Sequence, residues 1–118
     1  MVKSTSMSNS NSDNLFENPE DQKLATLATS TLARSGAKQA AALRDSTGRT
    51  YVAINIATAS LSLDAVQAVF TVAAASQISG IESLVIVGES AAETAVITEN
   101  SPQATIFFID ASGSVTRA

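Results

Sequence analysis

The chain has 118 residues, 45% of them hydrophobic and 15% charged, with a formal net charge of −4. This is the profile of one globular domain, and its seven scattered Lys and Arg residues leave no electrostatic footprint for nucleic acid. There is no His and no Cys, which excludes Ser-His-Asp and Cys-His catalysis, a disulfide framework, and the imidazole and thiolate ligands from which protein zinc sites are mainly built.

Residues 1–19 are rich in Ser and Asn around an isolated Leu15-Phe16 pair. Such a segment buries too little apolar surface to offset its ordering entropy, so a disordered tail is expected over 1–19, followed by one domain over 20–118. The alternative is a docking tail that uses Leu15 and Phe16. A first helix is expected next: Asn18 is a good N-cap, Pro19 suits the first helical position, and Asp21 favours the positive end of the dipole. Leu24, Leu27, Ala28, Thr31 and Leu32 form its apolar stripe, and Gly36 is its stop.

Gln39–Arg44 and Thr50–Ile56 read as two strands around the turn Asp45-Ser46-Thr47-Gly48, giving an antiparallel hairpin. A second helix is expected from a cap at Ser62 to about Gln77, with Asp64 in its first turn. Its Ala and Val residues surround nearly the whole cylinder, which implies burial against a sheet and against another subunit. Ser83–Val87 is a short apolar run suited to a central strand with both faces covered. Ser90 and Glu93 fit a capping box for a short helix through Ile97. Thr105–Ile109 is a further strand, Asp110–Gly113 a turn, and the last five residues carry no signal. The order α-β-β-α-β-α-β predicts an α/β fold with helices on both faces of a mixed sheet of four or five strands. No basic region followed by an apolar one opens the chain, and no stretch of about 20 residues is apolar enough to span a membrane, so no membrane association and a cytoplasmic location are expected.

Several short runs resemble the small nucleoside-type cytidine deaminases. Ala40-Ala41-Ala42-Leu43 stands where that family has V-G-A-A-L. Gly48-Arg49-Thr50-Tyr51 matches D-G-R-x-Y, and Asn55-Ile56-Ala57-Thr58-Ala59-Ser60 matches N-V-E-N-A-S. The resemblance covers about residues 20–110 and implies the three-layer α/β/α cytidine deaminase-like fold. It also implies a homo-oligomer, a dimer or tetramer, with the Ala-rich second helix near the shared centre.

The departures from the family pattern bear on chemistry. Carried along without a gap, the first zinc ligand falls on Val66, the catalytic Glu on Ala68, and the ribose-binding Glu on Ala57, while its Asn partner survives as Asn55. The second ligand motif, P-C-x-x-C, has no thiol counterpart; Ser101-Pro102-Gln103-Ala104 is the only stretch with its Pro. Zinc deaminases need three ligands to lower the pKa of bound water, and a non-ligand Glu to shuttle protons. The resemblance with these departures therefore implies no metal, no cofactor and no catalytic residue for the metal-hydroxide route. Two functional readings follow. The first is a non-catalytic protein that acts through protein contacts or oligomer assembly. The second is a zinc-independent binder or enzyme for a nucleoside or nucleotide in the remodelled pocket, where Asn55, Ser60 and Ser62 are the polar groups at hand.

Other features read as structural. Gly88-Glu89-Ser90 lacks the second Gly of a nucleophile elbow, since Ala92 stands there, and reads as a strand-to-helix turn. Gly88 before a helix start is a possible anion site, but no Gly-rich loop or P-loop Lys accompanies it. Asp64, Glu82, Glu89, Glu93 and Glu99 show no spacing that pairs two of them on a buried face. Tyr51 reads as a sheet-packing residue, and Asn55 as a turn or cap residue.

Overall fold

A computed structural model describes residues 16–89 and 93–118. Helix α1 spans Pro19–Ser35 and begins as the sequence predicts: the Asn18 side chain accepts the Glu20 N–H, and Pro19 occupies the first turn. It ends at Gly36, whose φ of 66° is the left-handed cap conformation. The expected tail falls largely outside the described residues. Phe16, at its end, is buried and stacks on Phe107 at a centroid distance of 4.8 Å, which seats the entry to α1 in the core.

Strands β1 (Gln39–Asp45) and β2 (Thr50–Ile54) form the expected antiparallel hairpin. β2 ends two residues earlier than predicted. Asn55 takes over the ladder with its side chain, its Oδ1 accepting the Gln39 N–H, and the chain then turns away. Ile56–Ala57 (β3) pairs instead with Ser62–Leu63 (β4) in a separate two-stranded ribbon. Ser62 is therefore a strand residue and not a helix cap. Helix α2 runs from Ala65 to Ala75 with Asp64 as its cap, in a reciprocal capping box with Gln67.

β5 (Ile81–Gly88) is followed by a short helix α3 (Ala95–Asn100), then β6 (Thr105–Ile109) and β7 (Val115–Arg117). Of the two partners expected in a capping box at Ser90 and Glu93, only Glu93 is among the described residues. The Glu93 N–H donates to Asp64 Oδ2 at 2.7 Å, which holds Glu93 against the start of α2 and delays α3 to Ala95. β7 carried no sequence signal, being three residues long. It is set by the turn before it, where Asp110 Oδ1 accepts the N–H groups of Ser112 and Ser114.

The main sheet has five strands in the order β2-β1-β5-β6-β7. β5 and β6 are parallel and the other neighbours antiparallel, so the sheet is mixed as predicted. Alternation along β5 divides the core in two. Leu84 and Ile86 face α2 and α3 with Val66, Val69 and Ile97, whereas Val85 and Val87 face α1 with Leu24, Ala28 and Phe107. The result is the three-layer α/β/α arrangement. Among the described residues no helix is long and apolar enough to cross a membrane.

Candidate functional site

The start of α2, beside the carboxyl end of β5, is where the resemblance would place catalytic groups. A helix N-terminus leaves four N–H groups without intrahelical partners. Here the chain's own side chains take several of them. Gln39, only 3% exposed, accepts the Ala65 N–H on Oε1 at 2.8 Å and donates from Nε2 to the Glu89 carbonyl at 2.7 Å. Asp64 accepts the Gln67 N–H on one oxygen and the Glu93 N–H on the other. Gln67 returns the bond by accepting the Asp64 N–H. The residues beneath are aliphatic: Val66 is fully buried within the core, and Ala68 is buried beside it.

The peptide that joins β5 to this region is fixed from two sides. The Glu89 N–H donates to the Lys38 carbonyl while the Glu89 carbonyl accepts from Gln39. Gly88 adopts φ 108°, and a Cβ there would stand 2.3 Å from the Lys38 carbonyl oxygen. Only glycine satisfies both constraints.

The predicted polar residues each have their own setting. Asn55 Oδ1 is engaged by the Gln39 backbone, which makes Asn55 an extension of the hairpin ladder. Ser60 is exposed and lies 3.5 Å from the Thr58 hydroxyl, and Ser62 is exposed in β4. No hydrogen bond joins Asn55, Ser60 and Ser62 to one another. Ala57 is exposed in β3. Ser101-Pro102-Gln103-Ala104 sits at the wrong end of the sheet for a metal ligand: Ser101 Oγ accepts the Ile81 N–H, at the amino end of β5, whereas α2 starts near its carboxyl end at Gly88. A strand of that length separates the two by roughly 20 Å.

Two polar clusters serve the fold. Arg44, 5% exposed, donates to Asp21 on α1 at 2.8 Å, to Glu82 at 2.9 Å and to the Ser83 hydroxyl, tying α1 to the sheet. Burial alone would lower its pKa, but the bonds to Glu82 and Asp21 prevail and hold it raised. Asp45, 1% exposed, closes the hairpin by accepting the Thr47 hydroxyl and the N–H groups of Thr47 and Arg49. Burial is the largest single influence on this carboxylate and would raise its pKa, yet those donors together outweigh it and lower it.

Two clefts flank α1 on the opposite face of the sheet. The larger, about 530 Å³, opens at the carboxyl ends of β5 and β6; its walls include Leu32, Val87 and Ile109, with Lys38, Glu89 and Asp110 among its polar lining. The second, about 380 Å³, continues along α1 past Phe16 and Val115. Sequence reasoning found neither the clefts nor the role of Gln39. A glutamine at the start of a strand gives no local sign that its amide will bridge a helix end and a loop 50 residues away.

A cytidine deaminase-like family model matches residues 17–113. Among solved structures, a cytidine deaminase from Burkholderia pseudomallei superposes with a TM-score of 0.67 at 18% identity, covering 82% of this chain and 90% of that one. A cytidine deaminase from Mycobacterium leprae gives a TM-score of 0.56 at 15% identity, with 81% and 91% covered. These superpositions establish a common fold. A comparison with curated proteins returns no match. The zinc ion implied by the family does not fit the residues present. Val66 and Ala68 offer it no donor, both Asp64 oxygens already accept backbone N–H groups, and among the described residues no group of three or more His, Cys, Asp or Glu is placed to hold a metal ion. The match over residues 17–113 and the shared three-layer architecture make this chain a member of the cytidine deaminase-like family.

Proposed function

We propose that this chain is a non-catalytic member of its family that works through protein contacts, self-association among them. The observation that carries this reading is the occupation of the α2 start by the chain's own groups. Gln39, Asp64 and Gln67 accept the N–H groups of Ala65, Gln67 and Asp64 there, and Val66 is buried in the hydrocarbon core below. Hydrolytic deamination at neutral pH requires a generated nucleophile and a proton carrier at that place. Thiolate, imidazole and the shuttle carboxylate are lacking, and substrate orientation alone supplies too little of the barrier.

The test is direct. Purified protein is incubated with cytidine, deoxycytidine and cytosine, with and without added zinc, and ammonia and uracil-containing products are followed. No turnover above the protein-free control is expected, together with no stoichiometric zinc by elemental analysis. Turnover, or tightly held zinc at one equivalent, overturns the reading.

A further inference from the structure

We infer that the cleft beside α1 is a binding site for a zwitterionic apolar molecule of the α-amino acid class, separate from the α2 start. It lies at the carboxyl ends of the parallel strands β5 and β6, where open α/β sheets take ligands, and its volume of about 530 Å³ suits a small molecule.

The charges at its rim choose the ligand class. Three adjacent strands deliver them to one edge: Lys38 precedes β1, Glu89 follows β5 and Asp110 follows β6. Lys38 and Glu89 are held as cross-strand neighbours by the Glu89 N–H to Lys38 carbonyl bond of 3.0 Å, yet among the described residues neither side chain has an ion-pair or hydrogen-bond partner. Asp110 is kept ionised by the Ser112 hydroxyl and the turn amides. The rim therefore offers one cation and two carboxylates over a wall of Leu32, Val87 and Ile109. A simple anion meets two like charges there, and a simple cation leaves Lys38 unused. A molecule carrying an ammonium and a carboxylate on one carbon matches both signs, and an aliphatic or aromatic side chain occupies the apolar wall.

The experiment is a methyl NMR titration of the full chain with leucine and phenylalanine at millimolar concentration. Progressive shifts of the Val87 and Ile109 methyls are expected. N-acetyl-leucine, which lacks the ammonium, and leucinamide, which lacks the carboxylate, are expected to bind about two- to fivefold more weakly, the scale of a partly exposed ion pair. Lys38→Gln and Glu89→Gln, both with exposed side chains, are expected to weaken leucine binding by a similar factor. Unmoved Val87 and Ile109 methyls overturn the inference, as does equal binding of both blocked analogues or preference for cytidine at these methyls. None of these outcomes bears on whether the chain deaminates.

Discussion

Gly88 and Gln39 show how single residues shape this molecule. Gly88 combines a left-handed φ of 108° with a Lys38 carbonyl oxygen 2.3 Å from where a Cβ would stand. That neighbour is backbone in the adjoining strand, so it cannot swing aside. Gly88→Ala is expected to destabilise the fold by about 2–4 kcal/mol, read as a lower urea midpoint with an unchanged slope. A loss below about 0.5 kcal/mol would mean that the β1–β5 contact is looser than the geometry states. Gln39 has a different kind of importance. Its amide satisfies one buried donor and one acceptor at once, and a buried polar group left without a partner costs about 1–3 kcal/mol.

At the scale of elements, the hairpin turn depends on the ionised form of Asp45. The folded state lowers its pKa below the ordinary aspartate value. The associated stability is therefore present in full above that value and is lost as pH falls through the lower folded value. Asp45→Asn is expected to cost about 1.5–3 kcal/mol at neutral pH, and the difference from the parent is expected to shrink below about pH 4. Denaturant titrations across that range check it; a penalty independent of pH would show that shape, not charge, closes the turn. The elements themselves were largely legible. α1 was readable from Asn18, Pro19 and Gly36 because caps are local chemistry. The sequence places the start of α2 at Ser62 instead of Asp64 because both side chains, two residues apart, are suitable caps, and the β3–β4 pairing that claims Ser62 is not encoded in its own neighbourhood. The start of α3 was misplaced for a similar reason: a bond from Glu93 to Asp64 spans 29 residues. Of the candidate site, the loss of donors at Val66 and Ala68 was visible in residue identity, whereas the rearrangement that seals the space needed the fold.

For the molecule as a whole, the two core layers meet on a sheet in which β1 is buried along its whole length, Ala40, Ala41 and Ala42 having no exposed surface. α2 covers one face with Ala65, Val66, Val69 and Ala73 and turns Val72, Ala74 and Ala75 outward. The sequence pattern suggested a helix buried all round; the single chain buries only one side of it. Val72 is 47% exposed, and Leu61, on the neighbouring β3–β4 ribbon, is 50% exposed. The proposed self-association through this helix would cover those side chains. Light scattering at micromolar concentration is expected to give a dimer or tetramer, and Val72→Asp to give a folded monomer. A monomeric parent protein would remove self-association from the proposal.

The double bond made by Gln39 also limits how such a protein can change. Installing a cysteine at Val66 and a glutamate at Ala68 would place both groups beneath an amide that already holds the helix start and the Glu89 carbonyl. Ala68→Glu would also put a carboxylate at a position only 3% exposed, which costs stability unless the charge finds a partner. A metal-binding pocket at this place would therefore need stabilising substitutions elsewhere in the chain.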